Sequence, residues 1–179
     1  MPVALRYAGR PRSTLSGAGI RRMAEHMLRA LALESAELSL VLCDDRVMRD
    51  LNRRYRRIDR TTDVLAFALG EGRSMPNTQV VWLGDIVISL PRAALQARAA
   101  RKPEIAEVAL LLAHGLLHLL GCDHRTVTEE RRMRARTDLL LASAGFGGPG
   151  FAVDKVGADR GASPGRRPKA KTVAKRKAQ

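Results

Sequence analysis

The sequence predicts an α/β domain, of the α+β kind: a single mixed sheet of about four strands covered by helices, with one helix central and buried. Three observations carry that expectation. Runs with apolar residues at every second position alternate with runs at the i, i+3, i+4, i+7 spacing, so strands and helices interleave along the chain. Two strand-like runs flank Gly70-Glu-Gly-Arg-Ser-Met-Pro-Asn77, whose loop chemistry suits an antiparallel pair. Residues 105–122 are apolar nearly all round, which suits a helix enclosed by its neighbours.

The elements follow in order. Val3 to Tyr7 starts a short strand. Ile20, Met23, Ala24, Met27, Leu28 and Leu31 then mark one face of an amphipathic helix, with Arg21, Arg22, Glu25 and Arg29 opposite. His26 lies on that helix alone and reads as a surface or boundary residue. Leu38, Leu40 and Leu42 alternate as a second strand. Asp44 or Asp45 can cap a helix through Val47, Met48, Leu51 and Tyr55. Residues 63–67 and 80–89 read as two more strands, and Pro91 opens an alanine-rich helix that stops before Pro103. Pro103, Glu104 and Glu107 are the residues of a helix start. Thr126-Val-Thr-Glu129 has the pattern of a capping box for a last helix, with Met133, Thr137, Leu140 and Ala144 inside and Gly145 at its end.

Charge and composition narrow the partner. The 179 residues carry a net +14 with only 3% aromatics, a balance that favours a polyanion such as nucleic acid over a neutral metabolite. Residues 152–179 hold nine Lys and Arg against two Asp, a net +7 and half of the total. We read a domain over 1–150 and a basic tail over 151–179 that is expected to be disordered, because the tail cannot bury enough surface to offset the entropy of ordering. An RNA-binding arm and a solubilising extension both fit it. Cys43 and Cys122 are too few for a disulfide framework, so no disulfide-linked partner is expected and a reducing cytoplasm is. No signal peptide or membrane span is visible: Glu107, His114 and His118 interrupt the longest apolar run.

Three of the four histidines fall within eleven residues, His114-Gly-Leu-Leu-His118-Leu-Leu-Gly121-Cys-Asp-His124. On a helix His114 and His118 project from one face a turn apart, and Gly121 can end the helix so that His124 returns to the same ion. Three nitrogen ligands leave a tetrahedral zinc ion one open position, the arrangement of a catalytic site. Asp123 can orient a ligand or accept a proton. Cys122 as a fourth ligand would close the site. The same spacing occurs in metzincin proteases, where the residue after the first histidine is the glutamate base. Here it is Gly115, which moves no proton.

Upstream, residues 53–60 carry five arginines. Arg53, Arg56 and Arg57 are candidate RNA phosphate ligands, since guanidinium donates paired hydrogen bonds to phosphate oxygens, although a solvated helix face is the ordinary reading of such a run.

These segments resemble the YbeY family. The histidine segment matches every fixed position of its His-Gly-x-Leu-His-Leu-x-Gly-x-Asp-His signature. Leu51-Asn-Arg-Arg-Tyr-Arg-Arg-Ile-Asp59, Thr62-Asp-Val-Leu-Ala-Phe67 and Leu83-Gly-Asp-Ile86 are similar to its other landmarks, in order and spacing. Thr61, Ala66 and Ala68 stand where the family usually has Pro, Ser and Pro. The resemblance spans roughly residues 3–146 and implies a zinc-dependent, single-strand-specific endoribonuclease acting in ribosomal RNA maturation, at the small-subunit 3′ end, and in ribosome quality control. It implies one zinc ion on His114, His118 and His124 and a functional arginine at Arg56. The expected chemistry is metal-assisted phosphodiester cleavage with Arg56 stabilising phosphoryl charge and Asp123 as a candidate base. A noncatalytic, zinc-containing ribosome-assembly factor is the alternative. A metal-dependent hydrolase of another substrate is disfavoured by Gly115 and the net charge.

Overall fold

The computed structural model describes residues 3–68, 81–122 and 126–147. Its elements are β1 (Val3–Ala8), α1 (Gly17–Ala30), β2 (Glu37–Cys43), α2 (Asp45–Arg56), β3 (Val64–Ala68), β4 (Trp82–Ser89), α3 (Leu90–Ala99), α4 (Glu104–Leu119) and α5 (Val127–Ser143). The four strands form one mixed sheet in the order β1-β2-β4-β3. β1, β2 and β4 are parallel neighbours, and β3 runs antiparallel on the edge beside β4, as the intervening loop chemistry predicted. The predicted α/β class and the single mixed sheet are therefore present. The loop itself, the tail and Val80 lie outside the described residues.

The helix starts obey their local chemistry. Ser16 and Asp44 accept hydrogen bonds from Gly19 N and Val47 N at the starts of α1 and α2. Asp44 also accepts from Arg10 N at 2.8 Å, and these backbone donors hold its carboxyl below the ordinary range. The capping box at Thr126 and Glu129 is complete. Two boundaries differ from expectation. Ser89 caps α3, so the helix begins at Leu90 and Pro91 follows inside its first turn. Ala144 is the C-cap of α5 and only partly buried, and Leu141 takes the inner position expected of it.

Strand alternation sorts the core into two unequal layers. On one face Leu38, Leu40, Leu42, Ile86 and Ile88 pack with α1, α3, α4 and α5 into one large cluster. α4 is its centre: Val108, Ala109, Leu111, Leu112, Ala113, Leu116 and Leu117 are fully covered. On the other face Val41, Cys43, Leu65 and Val87 meet Met48 of α2 in a cluster of five buried residues. Burial there pushes the Cys43 thiol up to about 12.

Gly84 shapes the end of the sheet at which β4 begins. Its φ is +134°, and a Cβ there would collide with the Phe67 carbonyl oxygen of β3. The pairing of β4 with β2 slips at the same place, between Glu37 and Leu38. Such a bulge adds a residue and re-aims those before it.

Candidate metal centre and arginine-rich helix end

Gly115 sets how closely α4 approaches the sheet. A Cβ on it would stand 3.0 Å from Cγ2 of Ile86, so glycine brings the helix directly onto β4. The place that a metzincin would give to its catalytic glutamate is thus filled by the sheet. His114 and His118 flank this contact on the partly exposed side of α4. Their Nε2 atoms lie 2.9 Å apart, with ring centroids at 4.4 Å and planes at 84°. Two nitrogens bound to one tetrahedral zinc at about 2.0–2.1 Å stand roughly 3.3 Å apart. A small opening of the pair would bring both rings within reach of one ion, and neutral imidazole is a donor that zinc favours.

The chain leaves α4 in a defined way. Gly121 has φ +76°, its N–H donates to His118 O at 3.0 Å, and Cys122 N donates to Leu117 O at 2.9 Å. These are the paired hydrogen bonds that end a helix on a left-handed residue and turn the chain back. Cys122 Sγ accepts from Arg136 Nη1 of α5 at 3.1 Å, so this thiol faces the helix next door. His124 and Asp123, the expected third ligand and candidate base, lie outside the described residues. Among the described residues no cluster of three or more His, Cys, Asp or Glu is placed to hold an ion.

The arginine-rich segment occupies the other face of the sheet. α2 begins at the C-terminal end of β4, where Ser89 Oγ donates to Asp45 Oδ1 at 2.6 Å. It ends near the other end, where the Tyr55 ring meets Phe67 edge-on at 5.0 Å. Arg57, at φ +59°, reverses the chain, and the loop returns along α2 through three tethers. Asn52 Nδ2 donates to Arg60 O at 2.8 Å, Arg49 donates to both oxygens of Asp59, and Thr61 Oγ1 donates to Asp45 Oδ1 at 3.4 Å. Asn52 is 2% exposed and its role as the buried anchor of this loop was not read from the sequence. Only its position as the polar residue on an otherwise apolar stripe could have marked it.

The arginines divide by their partners. Arg49 pairs with Asp59, lowering that carboxyl and raising the guanidinium, and Arg53 pairs with Asp50 at 3.2 Å. Arg46, Arg49, Arg53 and Arg60 line an open groove of about 620 Å³ together with Asp45, Asp50 and Asp59, so its charges largely cancel. Arg56 and Arg57 are exposed, and their guanidinium groups form no ion pair with the described residues. Of the three predicted phosphate ligands, these two keep their full charge for a partner, and Arg53 shares its own across an exposed pair that is worth little.

Helix directions bring the two candidate regions to one end of the sheet. Glu107 near the start of α4 feels the charge of Asp63, beside the Val64–Ile88 pairing, whereas Gly115 lies on Ile86. α4 therefore runs toward the Trp82 end of β4, as α2 does. α4, which carries the histidines, and the Tyr55 end of α2 both pack against edge strand β3, from opposite faces. Glu107 is 7% exposed, and desolvation raises its carboxyl above the ordinary range.

The Endoribonuclease YbeY family profile matches residues 12–145. Proteins named Endoribonuclease YbeY align well with the chain. That of Desulforamulus reducens is 48% identical over 113 residues, 62% of this chain and 74% of its own. That of Symbiobacterium thermophilum is 44% identical over 136 residues, 71% and 85%, and that of an Anaeromyxobacter species 46% over 134, 75% and 67%. The solution structure of TM1509 from Thermotoga maritima superposes with a TM-score of 0.53 over 86% of this chain and 99% of that one; at 19% identity the likeness is one of fold. With a matching profile over three of its four strands and all five helices, and close relatives of one name, the chain belongs to the YbeY endoribonuclease family.

Proposed function

We propose that the protein is a zinc-dependent endoribonuclease that cuts single-stranded RNA, acting in the cytoplasm on ribosomal RNA at the small-subunit 3′ end and in ribosome quality control. The observation that carries the reading is the placement of two convergent histidines and an uncompensated arginine corner at one end of one sheet. Membership of an endoribonuclease family supports it, and the net +14 supports an RNA partner. Among the described residues no helix is long and apolar enough to cross a membrane.

His114, His118 and His124 would hold the ion. Once bound, zinc supplies a Lewis acid and a fixed positive charge in the site. The rest falls to the chain. The guanidinium of Arg56 can donate two hydrogen bonds to phosphoryl oxygens and stabilise the charge that grows on them during displacement. Arg53 and Arg57 hold neighbouring phosphates and fix the strand's register. Asp123 is proposed as the group that orients a ligand or accepts the nucleophile's proton. Gly115 holds α4 against the sheet, and the helix ends at Gly121, three residues before His124 in the chain.

Metal analysis together with cleavage of a labelled single-stranded RNA tests this reading. Wild type is expected to cleave, and folded Arg56→Ala to cleave far more slowly at unchanged metal content. A purified, metal-loaded wild type that leaves RNA intact would favour the noncatalytic assembly factor. Product ends report the nucleophile: a cyclic phosphate means that the RNA's own 2′-hydroxyl attacked.

A further inference from the structure

The chain is poor in aromatics: three Phe, two Tyr and one Trp. Three of these six lie on the α2 face toward the end where α2 finishes, two of them in contact. Tyr55 is 58% exposed at the last turn of α2 and rests edge-on against Phe67 of β3. Arg54 stands over the Tyr55 ring at 5.7 Å from its centroid. Trp82, 42% exposed, begins β4. The extra residue of the bulge is Leu83, and beyond it Trp82 pairs with Glu37, which alternates with Leu38 of the α4 face, so Trp82 falls on the α2 face with Phe67.

An exposed aromatic by itself needs no explanation. Two exposed rings and a partly exposed one on one face of adjoining elements, with Arg53, Arg54, Arg56 and Arg57 beside Tyr55 in the chain, are a different matter. Rings provide stacking surface and guanidinium groups provide phosphate contacts, which together are the two components of single-strand binding. Asp85 lies opposite Phe67 in the ladder, on the same face. Its carboxylate repels phosphate, which directs a strand's backbone toward the arginines and leaves its bases over the rings.

We propose that Tyr55, Phe67 and Trp82 form a platform on which unpaired bases of a single-stranded polynucleotide stack while its phosphates follow Arg54, Arg56 and Arg57. In a duplex the base faces are already covered, so the platform selects unpaired strands without reading their sequence. The proposal rests on the reading of the chain as an enzyme of RNA and gives its single-strand preference a location.

Trp82 is the only tryptophan, so its emission reports the platform directly. The full chain is titrated with a 2′-O-methyl RNA 12-mer, single-stranded or annealed to its complement, and emission and anisotropy are read within seconds of mixing. The single strand is expected to quench Trp82, and the duplex to leave it nearly unchanged. Tyr55→Leu, checked for folding by circular dichroism, is expected to weaken single-strand binding about tenfold, within the range that one stacked base supplies. Tyr55→Phe, which keeps the ring, is expected to stay within about twofold of wild type. Wild type that cleaves and binds RNA without Trp82 quenching, with Tyr55→Leu binding equally well, would overturn the platform and leave the nuclease reading standing. Wild type that neither binds nor cleaves single-stranded RNA would overturn both.

Discussion

The two faces of the sheet are built to different ends. The α4 face is thick and dry: α1, α3, α4 and α5 all contribute to its core, and α4 buries its side chains almost all round. The α2 face is thin: five residues make its buried cluster, and most of α2 faces water. Two of the proposed metal ligands, His114 and His118, stand on the thickly packed side and the proposed phosphate ligands on the solvated side. An ion demands donors fixed to within tenths of an ångström. A polyanion is gathered by charges that must stay in water to be strong at long range. On the proposed roles, each kind of ligand sits on the face whose packing suits it.

Substitutions can break this contrast, and the largest effect is expected at Gly115. Gly115→Glu would drive a carboxylate against Ile86, combining overpacking with an unpaired buried charge, and should destabilise the domain by at least about 3 kcal/mol in urea unfolding. A folded, stable Gly115→Glu would mean that α4 does not sit on β4 as described. Next comes a matched pair of truncations. Leu111→Ala, in the centre of α4, should cost roughly 3–4 kcal/mol, and Leu51→Ala, partly exposed on α2, about 1 kcal/mol. Equal costs would erase the distinction between thick and thin faces.

Arg56→Ala should separate function from stability. Its side chain is exposed, so unfolding should shift by no more than about 0.5 kcal/mol, while cleavage should fall about a hundredfold. The smallest effect concerns pH. Burial raises the Glu107 carboxyl, so the folded chain keeps a proton that the unfolded chain has already released. Its contribution therefore weakens stability as pH climbs from the ordinary carboxylate value through the raised one. Glu107→Gln removes that loss: its melting temperature relative to wild type should be higher near pH 8 than near pH 4, and a reversed trend would show a paired, ionised Glu107.

Much of this architecture was legible in the sequence because local rules and packing agreed. The stripe Ile20, Met23, Ala24, Met27 and Leu28 is the buried face of α1, and the Thr126 capping box forms as written. His26 is exposed, as its lone polar setting suggested. The pairing of His114 with His118 followed from helix periodicity alone. What stayed hidden was long-range. No spacing reveals that α2 and α4 lie on opposite faces, because that depends on how strands cross over. Nor does a sequence tell that Asn52 reaches Arg60 O, or that Arg53 meets Asp50 while Arg56 meets none of the described acids. Gly84 looked like part of a motif and proved to be a steric necessity against Phe67. His124, the proposed third ligand, and Asp123 rest on spacing and the signature, since both lie outside the described residues.

The central claim is that His114 and His118 act through one bound ion in cutting RNA. The most direct test is the rate at which purified His118→Ala cleaves a labelled single-stranded RNA, beside wild type and with bound zinc measured in the same samples. We predict that the variant stays folded, loses its zinc and cleaves about a hundredfold more slowly or worse. A folded His118→Ala that lacks zinc and cleaves at the wild-type rate would contradict the account.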